Sequence, residues 1–251
     1  MSTSKLKMFF GLYAKDMRES IPEIAVVATV AVVINGIFYL RVSQPESAVA
    51  PNALLLLIIP ALMVMGLAVF LPLISSFKLL GREWSNNTVY FIMSLPVSGA
   101  MILGSKLLVL LSQYVVGTLI AGMTGLVLIW NVIPEIIRFI SGQPHCFSLV
   151  LLFYLLSAAF LIYLISISFL SQIVGRLSAR FSGLITALVF FLTLYIVGKI
   201  NDFTSSLNIR MFADWYTTPL GSLLTANLMV LLTATVIFTL AVAIYNRKVE
   251  L

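Results

Sequence analysis

Charge is scarce in this chain. Of its 251 residues only 10% are Asp, Glu, Lys or Arg, while 61% are hydrophobic; a soluble domain carries about 25% charged residues. The shortage excludes a single water-soluble globule, because one compact interior cannot take up that much apolar surface and lipid has to solvate part of it. Cysteine is nearly absent too. With Cys146 alone, no intrachain disulfide can form and the redox compartment is left open. The one histidine, His145, stands beside it in 142-GQPHC-146. No further ligand lies nearby in the sequence, so the pair reads as solvated loop, and neither a metal site nor a catalytic residue is expected. The net charge of +6 comes from cations scattered near the ends of apolar runs, which is a topology signal rather than a phosphate-binding stripe, so nucleic acid is not an expected partner.

What the chain has in abundance is long apolar runs. A spanning helix needs about 20 mostly apolar residues, and six runs approach or exceed that length: 24–40, 53–77, 107–130, 147–174, 183–198 and 223–245. They are continuous rather than alternating with period two, which excludes barrel strands. The expected fold is an all-α integral membrane protein of six transmembrane helices. With the N-terminus inside, eleven of the cations fall on the cytoplasmic side and four outside, so the positive-inside rule predicts N-in and C-in. Ala48-Val49-Ala50 imitates a cleavage site, but the preceding run exceeds the usual ~7–15 residues and proline follows, so the first run reads as a span. Ahead of it, 5-KLKMFFGLYAKDMRES-20 repeats Leu6, Phe9, Phe10, Tyr13 and Met17 at helical spacing. Residues 1–22 are therefore expected to form an interfacial amphipathic helix with its cations near anionic headgroups.

The six predicted cores contain no Asp, Glu, Lys or Arg. Ion-coupled carriers commonly place such groups near the midplane, so their absence weakens that class. The spans carry other features. Gly117, Ala121 and Gly125 form a small-xxx-small face on the third, suited to close packing within the chain or to a dimer seam. Pro60 and Pro72 predict a kink in the second. Phe160, Tyr163, Phe190, Phe191 and Tyr195 are candidates for lining an apolar passage, against the plainer reading of packing or lipid contact. The longest outer segment, 201–222, mixes Phe203, Phe212, Trp215 and Tyr216 with polar residues, a pattern for short helices dipping into the outer interface.

One stretch breaks the apolar pattern, 79-LLGREWSNNTVYFIMSLPVSGAMILGSKLL-108. From Leu80 to Leu95, Leu80, Trp84, Thr88, Phe91 and Leu95 share one helical arc, and Glu83, Asn87 and Tyr90 form a stripe beside it. That predicts a membrane-parallel helix over 80–98, ended by Pro96, with Ser98 capping the next helix. Gly99, Gly104, Ser105 and Lys106 imitate a phosphate loop, but the Gly-Ser-Lys order and the missing strand exclude nucleotide binding by this chain.

Arg82-Glu83-Trp84, Asn87-Thr88, Ser94-Leu95-Pro96-Val97-Ser98, then Ile102-Leu103 and Lys106 together resemble the type-2 ATP-binding-cassette (ABC) exporter permeases. The motif covers about 25 residues, and the six-span plan is similar over the whole chain. The chain departs from the pattern at Asn87, where glycine is common, and at Gly99-Ala100, where a polar or charged pair is usual. The resemblance implies that the helix over 80–98 is a coupling helix, with Arg82, Glu83, Trp84, Asn87, Thr88 and Pro96 as its contact or shaping residues. It also implies a separate ATPase subunit that holds ATP and Mg, a second permease copy (identical or a close paralogue), and a bacterial-type cytoplasmic membrane. Without the resemblance, a lipid-bound connector helix with no partner would account for the same periodicity. The function expected on this basis is the non-enzymatic membrane subunit of an exporter for a hydrophobic or amphipathic substrate such as a peptide, antibiotic or lipid-like compound. A secondary carrier and a non-transporting assembly or immunity protein are the alternatives.

Overall fold

A computed structural model of the chain describes residues 5–42, 53–85, 98–128, 145–177, 181–211 and 218–249, together with residues 130, 133, 137 and 138. Six long helices account for nearly all of them: α1 (Lys5–Val42), α2 (Ala53–Ser85), α3 (Gly99–Leu128), α4 (Cys146–Gly175), α5 (Ser182–Met211) and α6 (Pro219–Val249). No strand occurs among the described residues. All six helices are long and apolar enough to cross a membrane, which is the architecture of a multi-pass membrane protein. Their apolar residues run round the whole helix, so many large ones face outward, Leu62, Phe70, Phe153 and Leu232 among them, where a bilayer would cover them.

The helices outrun the apolar runs that predict them. At about 1.5 Å per residue, even a 30-residue helix such as α3 is roughly 45 Å long, against a hydrocarbon core of ~30 Å. The excess sits at the ends and changes three expectations. Residues 5–22 form no separate interfacial helix. They run without a break into the first span as α1, through Pro22. The reason is docking: Leu12, Tyr13 and Met17 pack against the main core, Tyr13 Oη lies 3.0 Å from Ser112 Oγ on α3, and the apolar stripe assigned to lipid lies in part on protein. Residues 80–85 likewise continue the second span to Ser85, with Leu79 and Leu80 buried in the same core. Residues 201–211 extend α5 in place of separate short helices. Residues 86–97 and 212–217, with Asn87, Thr88, Pro96, Phe212, Trp215 and Tyr216, lie outside the described residues.

Ser98 does cap α3: its Oγ accepts the Met101 amide at 3.4 Å and its carbonyl accepts the same amide at 2.9 Å, satisfying donors a helix start leaves unpaired. Small residues set the closest packing. Val27 and Ala31 of α1, Val64 and Ala68 of α2 and Ala121 of α3 make one buried cluster, and a Cβ on Gly117 would stand 3.4 Å from that of Ala68. The small face of α3, with Gly125 also buried, is thus covered from within the chain. α4 packs most extensively on α6 and α1 on α3, while α5 leans mainly on α4.

Gly117→Leu forces extra carbons into the α2–α3 contact and is expected to cost about 1–3 kcal/mol by overpacking. Gly122→Leu, whose Cβ meets nothing within 4 Å, is the matched control. Thermal unfolding of the detergent-solubilised chain should fall for the first variant and stay unchanged for the second.

Candidate functional site

The helices alternate in direction, and cross-links show which termini share an end. Lys106 near the start of α3 meets Asp16 on α1 and Glu83 at the end of α2. The Gly99 amide donates to Asn246 Oδ1 near the end of α6 at 3.0 Å, and the Arg176 guanidinium after α4 lies 5.7 Å from the centroid of the Trp84 ring on α2. Gly175 abuts Ser182 and Thr186 at the start of α5 so tightly that a Cβ there would meet Thr186 Oγ1 at 2.0 Å. One end of the bundle therefore carries Lys5, Lys7, Lys15, Arg18, Lys78, Arg82, Lys106, Arg176 and Arg247.

At the centre of this charged end the Lys106 ammonium is 1% exposed and donates to Asp16 Oδ2 at 3.0 Å and to Glu83 Oε1 at 2.7 Å. Lys15 stands at the rim, 3.6 Å from Glu83. Further along α1 and α2 two more pairs follow, Glu19–Arg82 at 3.5 Å and Glu23–Lys78 at 2.6 Å. The other Glu23 oxygen accepts the Ser75 hydroxyl and, at 3.1 Å, the Gln113 amide of α3. Residues three and four apart share a helix face, so 19 and 23 rising along α1 meet 82 and 78 falling along the antiparallel α2, while Asp16 and Glu83 meet through Lys106.

Burying charge carries a desolvation cost that only close, well-bonded partners offset, and removing one partner strands the other at about 3–5 kcal/mol. Asp16, Glu83, Lys106 and Lys15 balance two against two. Through Lys106, the start of α3 is thus bound to the end of α2 at Glu83 and to α1 at Asp16.

Deeper in the bundle, polar side chains join the helices pairwise. Ser76 Oγ of α2 donates to Ser168 Oγ of α4 at 2.8 Å, and Gln172 Nε2 reaches the Ser76 carbonyl at 3.2 Å. Tyr154 of α4 stacks on Tyr114 of α3 at 5.5 Å, and Asn35 Nδ2 of α1 donates to Thr124 Oγ1 at 2.9 Å. In an apolar solvent such contacts hold helices together.

The residues singled out from the sequence are distributed unevenly. Arg82 is exposed and faces Glu19. Glu83, expected to face water and a partner, is instead turned inward, because Lys106 and Asp16 offer it a buried counter-charge network. Trp84 is half-buried with Arg176 over its ring. Phe160 and Tyr195 are exposed on the outer surface of the bundle, Tyr163 belongs to a buried cluster with Ile167, Val197, Ala234 and Ile237, and of the five aromatics only Phe190 and Phe191 share a cavity among the described residues. Phe190 meets Phe77 of α2 ring to ring at 5.5 Å and lines a cavity of about 570 Å³ between α2, α4 and α5. His145 immediately precedes α4 with φ 67°, a left-handed conformation uncommon outside glycine. Among the described residues no group of three or more His, Cys, Asp or Glu is gathered to hold a metal.

Asp16 is absent from the residues the sequence points to, and Lys106 enters there only as the last residue of the resemblance motif, although the matched spacings 19/23 and 78/82 are legible as an inter-helix ladder. No protein-family model, curated protein or solved structure matches this chain.

Glu83→Gln leaves the buried ammonium with one carboxylate and is expected to lower stability by about 3 kcal/mol. Glu19→Gln, at a half-exposed pair, should cost roughly 0–1 kcal/mol. Chemical denaturation in mixed micelles read by helicity separates the two.

Proposed function

We propose that the chain is the membrane-spanning subunit of an ATP-driven exporter of the type-2 ABC class, oriented N-in and C-in in a bacterial-type cytoplasmic membrane. The observation that carries the reading is the run Arg82-Glu83-Trp84, Asn87-Thr88 and Ser94-Leu95-Pro96-Val97-Ser98 between the second and third apolar segments, with its resemblance to the coupling region of such permeases. The ionic closure beneath it supports the reading: a push on 86–97 is delivered through Glu83 and Lys106 to Asp16, and so to α1, α2 and α3 together. A segment held by flexible linkers would dissipate the same push.

In this account a separate ATPase subunit binds ATP and Mg and docks under 86–97, two permease copies form the pathway, and the motor's closure shifts the bundle between inward- and outward-open states. Arg82, Trp84, Asn87 and Thr88 remain the surface offered to the partner, with Pro96 shaping the turn. Glu83 acts through Lys106 rather than by touching the partner. The six apolar cores, free of ionisable residues in the sequence, favour a hydrophobic or amphipathic substrate. The chain itself hydrolyses nothing.

The test is reconstitution with an ABC ATPase subunit from the same cell. A stable complex whose ATPase activity rises in vesicles, and falls at least tenfold with Thr88→Arg at unchanged thermal stability, is the expected result. Uptake by the purified chain alone without ATP would replace the proposal with a secondary carrier, and absence of both complex and transport would leave an assembly or immunity role.

A further inference from the structure

The cavity between α2, α4 and α5 is a built cleft whose chemistry changes along its length. Phe77, Ala187, Phe190 and Phe191 make an apolar wall, while Arg176 and Gln172 mark its polar end. None of the described lining residues is acidic. Its volume, about 570 Å³, falls within the ~300–1,000 Å³ of small-molecule sites. It exists because α5 leans mainly on α4, with Phe190 and Phe77 meeting across the gap to α2. Depth narrows the occupant. The α5 wall runs from Ser182 to Phe191, about 14 Å at 1.5 Å per residue, close to half a hydrocarbon core of ~30 Å. A cleft of that length matches one leaflet; its Ala187 and Phe191 wall is exposed on the outside of the bundle, where a bilayer would cover it, and its cation stands at the charged end.

We infer that this cleft binds one anionic amphiphile of the adjoining leaflet, its chain along Phe77, Ala187, Phe190 and Phe191 and its anionic head beside Arg176. The Trp84 ring under the guanidinium helps hold that charge in place, and a weakly hydrated, planar guanidinium suits phosphate and carboxylate alike. A phospholipid of the bilayer and a free fatty acid share this chemistry. The site belongs to the chain alone and does not depend on an ATPase partner or on transport.

Trp84 is a built-in reporter. In a Trp130→Phe, Trp215→Phe background it is the remaining tryptophan, and lipids brominated on the acyl carbons nearest the headgroup would quench it from the polar end of the cleft. In phosphatidylcholine nanodiscs, brominated phosphatidylglycerol should quench at about fivefold lower mole fraction than brominated phosphatidylcholine, the equivalent of the ~1 kcal/mol a cation contributes beside an anionic headgroup. Arg176→Gln should erase that preference. Gly183→Leu, a substitution with nothing within 4 Å of the new Cβ, should fill part of the cleft and abolish the preferential quenching by brominated phosphatidylglycerol. Relief of the quenching by unlabelled fatty acid identifies a site open to free amphiphiles; persistence identifies one reserved for bilayer lipid, and both support the inference. Equal quenching by the two lipids, unchanged by Gly183→Leu, would reduce the signal to ordinary surrounding lipid and overturn it. So would quenching that appears only on dilution, which would place a second copy of the chain over the cleft.

Discussion

A single buried ammonium organises the charged end of this protein. Lys106 has no route to water at 1% exposure, so its charge is tolerable only while Asp16 and Glu83 stand at 3.0 and 2.7 Å. That requirement sets the register of α1 against α2 and α3. With 16 and 83 fixed, 19 falls on 82 and 23 on 78, and Glu23 reaches Ser75 and Gln113. Coulomb attraction at these distances grows as the dielectric falls. The contacts are therefore strong where they are dry and weak at the rim, where Arg82 and Lys15 meet solvent.

The mechanical consequence concerns 86–97. The ends of α2 and α3 that precede and follow this segment are tied by Lys106 to each other and to α1, so under the coupling proposal a force applied there would move the three helices together. This is the physical content of the coupling proposal, and it shifts weight from direct partner contact by Glu83 to the transmission beneath it. Lower down, the Ser76–Ser168 and Tyr114–Tyr154 contacts tie α2 and α3 to α4. α5 leans mainly on α4 and forms one wall of the cleft.

Much of the fold was legible because the spans obey a one-dimensional rule: a run of apolar residues long enough for a bilayer forms a helix. The six runs were found, and Ser98 was recognised as a cap from its place after Pro96. Helix ends were less legible. The amphipathic stripe from Leu6 to Met17 looks alike whether it meets lipid or protein, and only tertiary contacts such as Tyr13–Ser112 decide between them. Glu83 was legible as special but its direction was not, because a periodicity plot locates a residue on a face without saying what covers that face. The matched spacings on α1 and α2 held that information, provided the two helices were assumed antiparallel. For the aromatics no sequence signal separates Tyr163, in the core, from Tyr195, on the surface.

Lys106 is a charge that needs its partners rather than a filler of space. Thermal unfolding of Lys106→Met should therefore show a large loss of stability, because Asp16 and Glu83 are left buried together without their cation. The triple variant Lys106→Met, Asp16→Asn, Glu83→Gln removes the stranded charges along with the ammonium and should recover most of that loss, since the electrostatic demand disappears with the charges. Equal loss in the single and triple variants would mean that shape, not charge, holds the three helices in register.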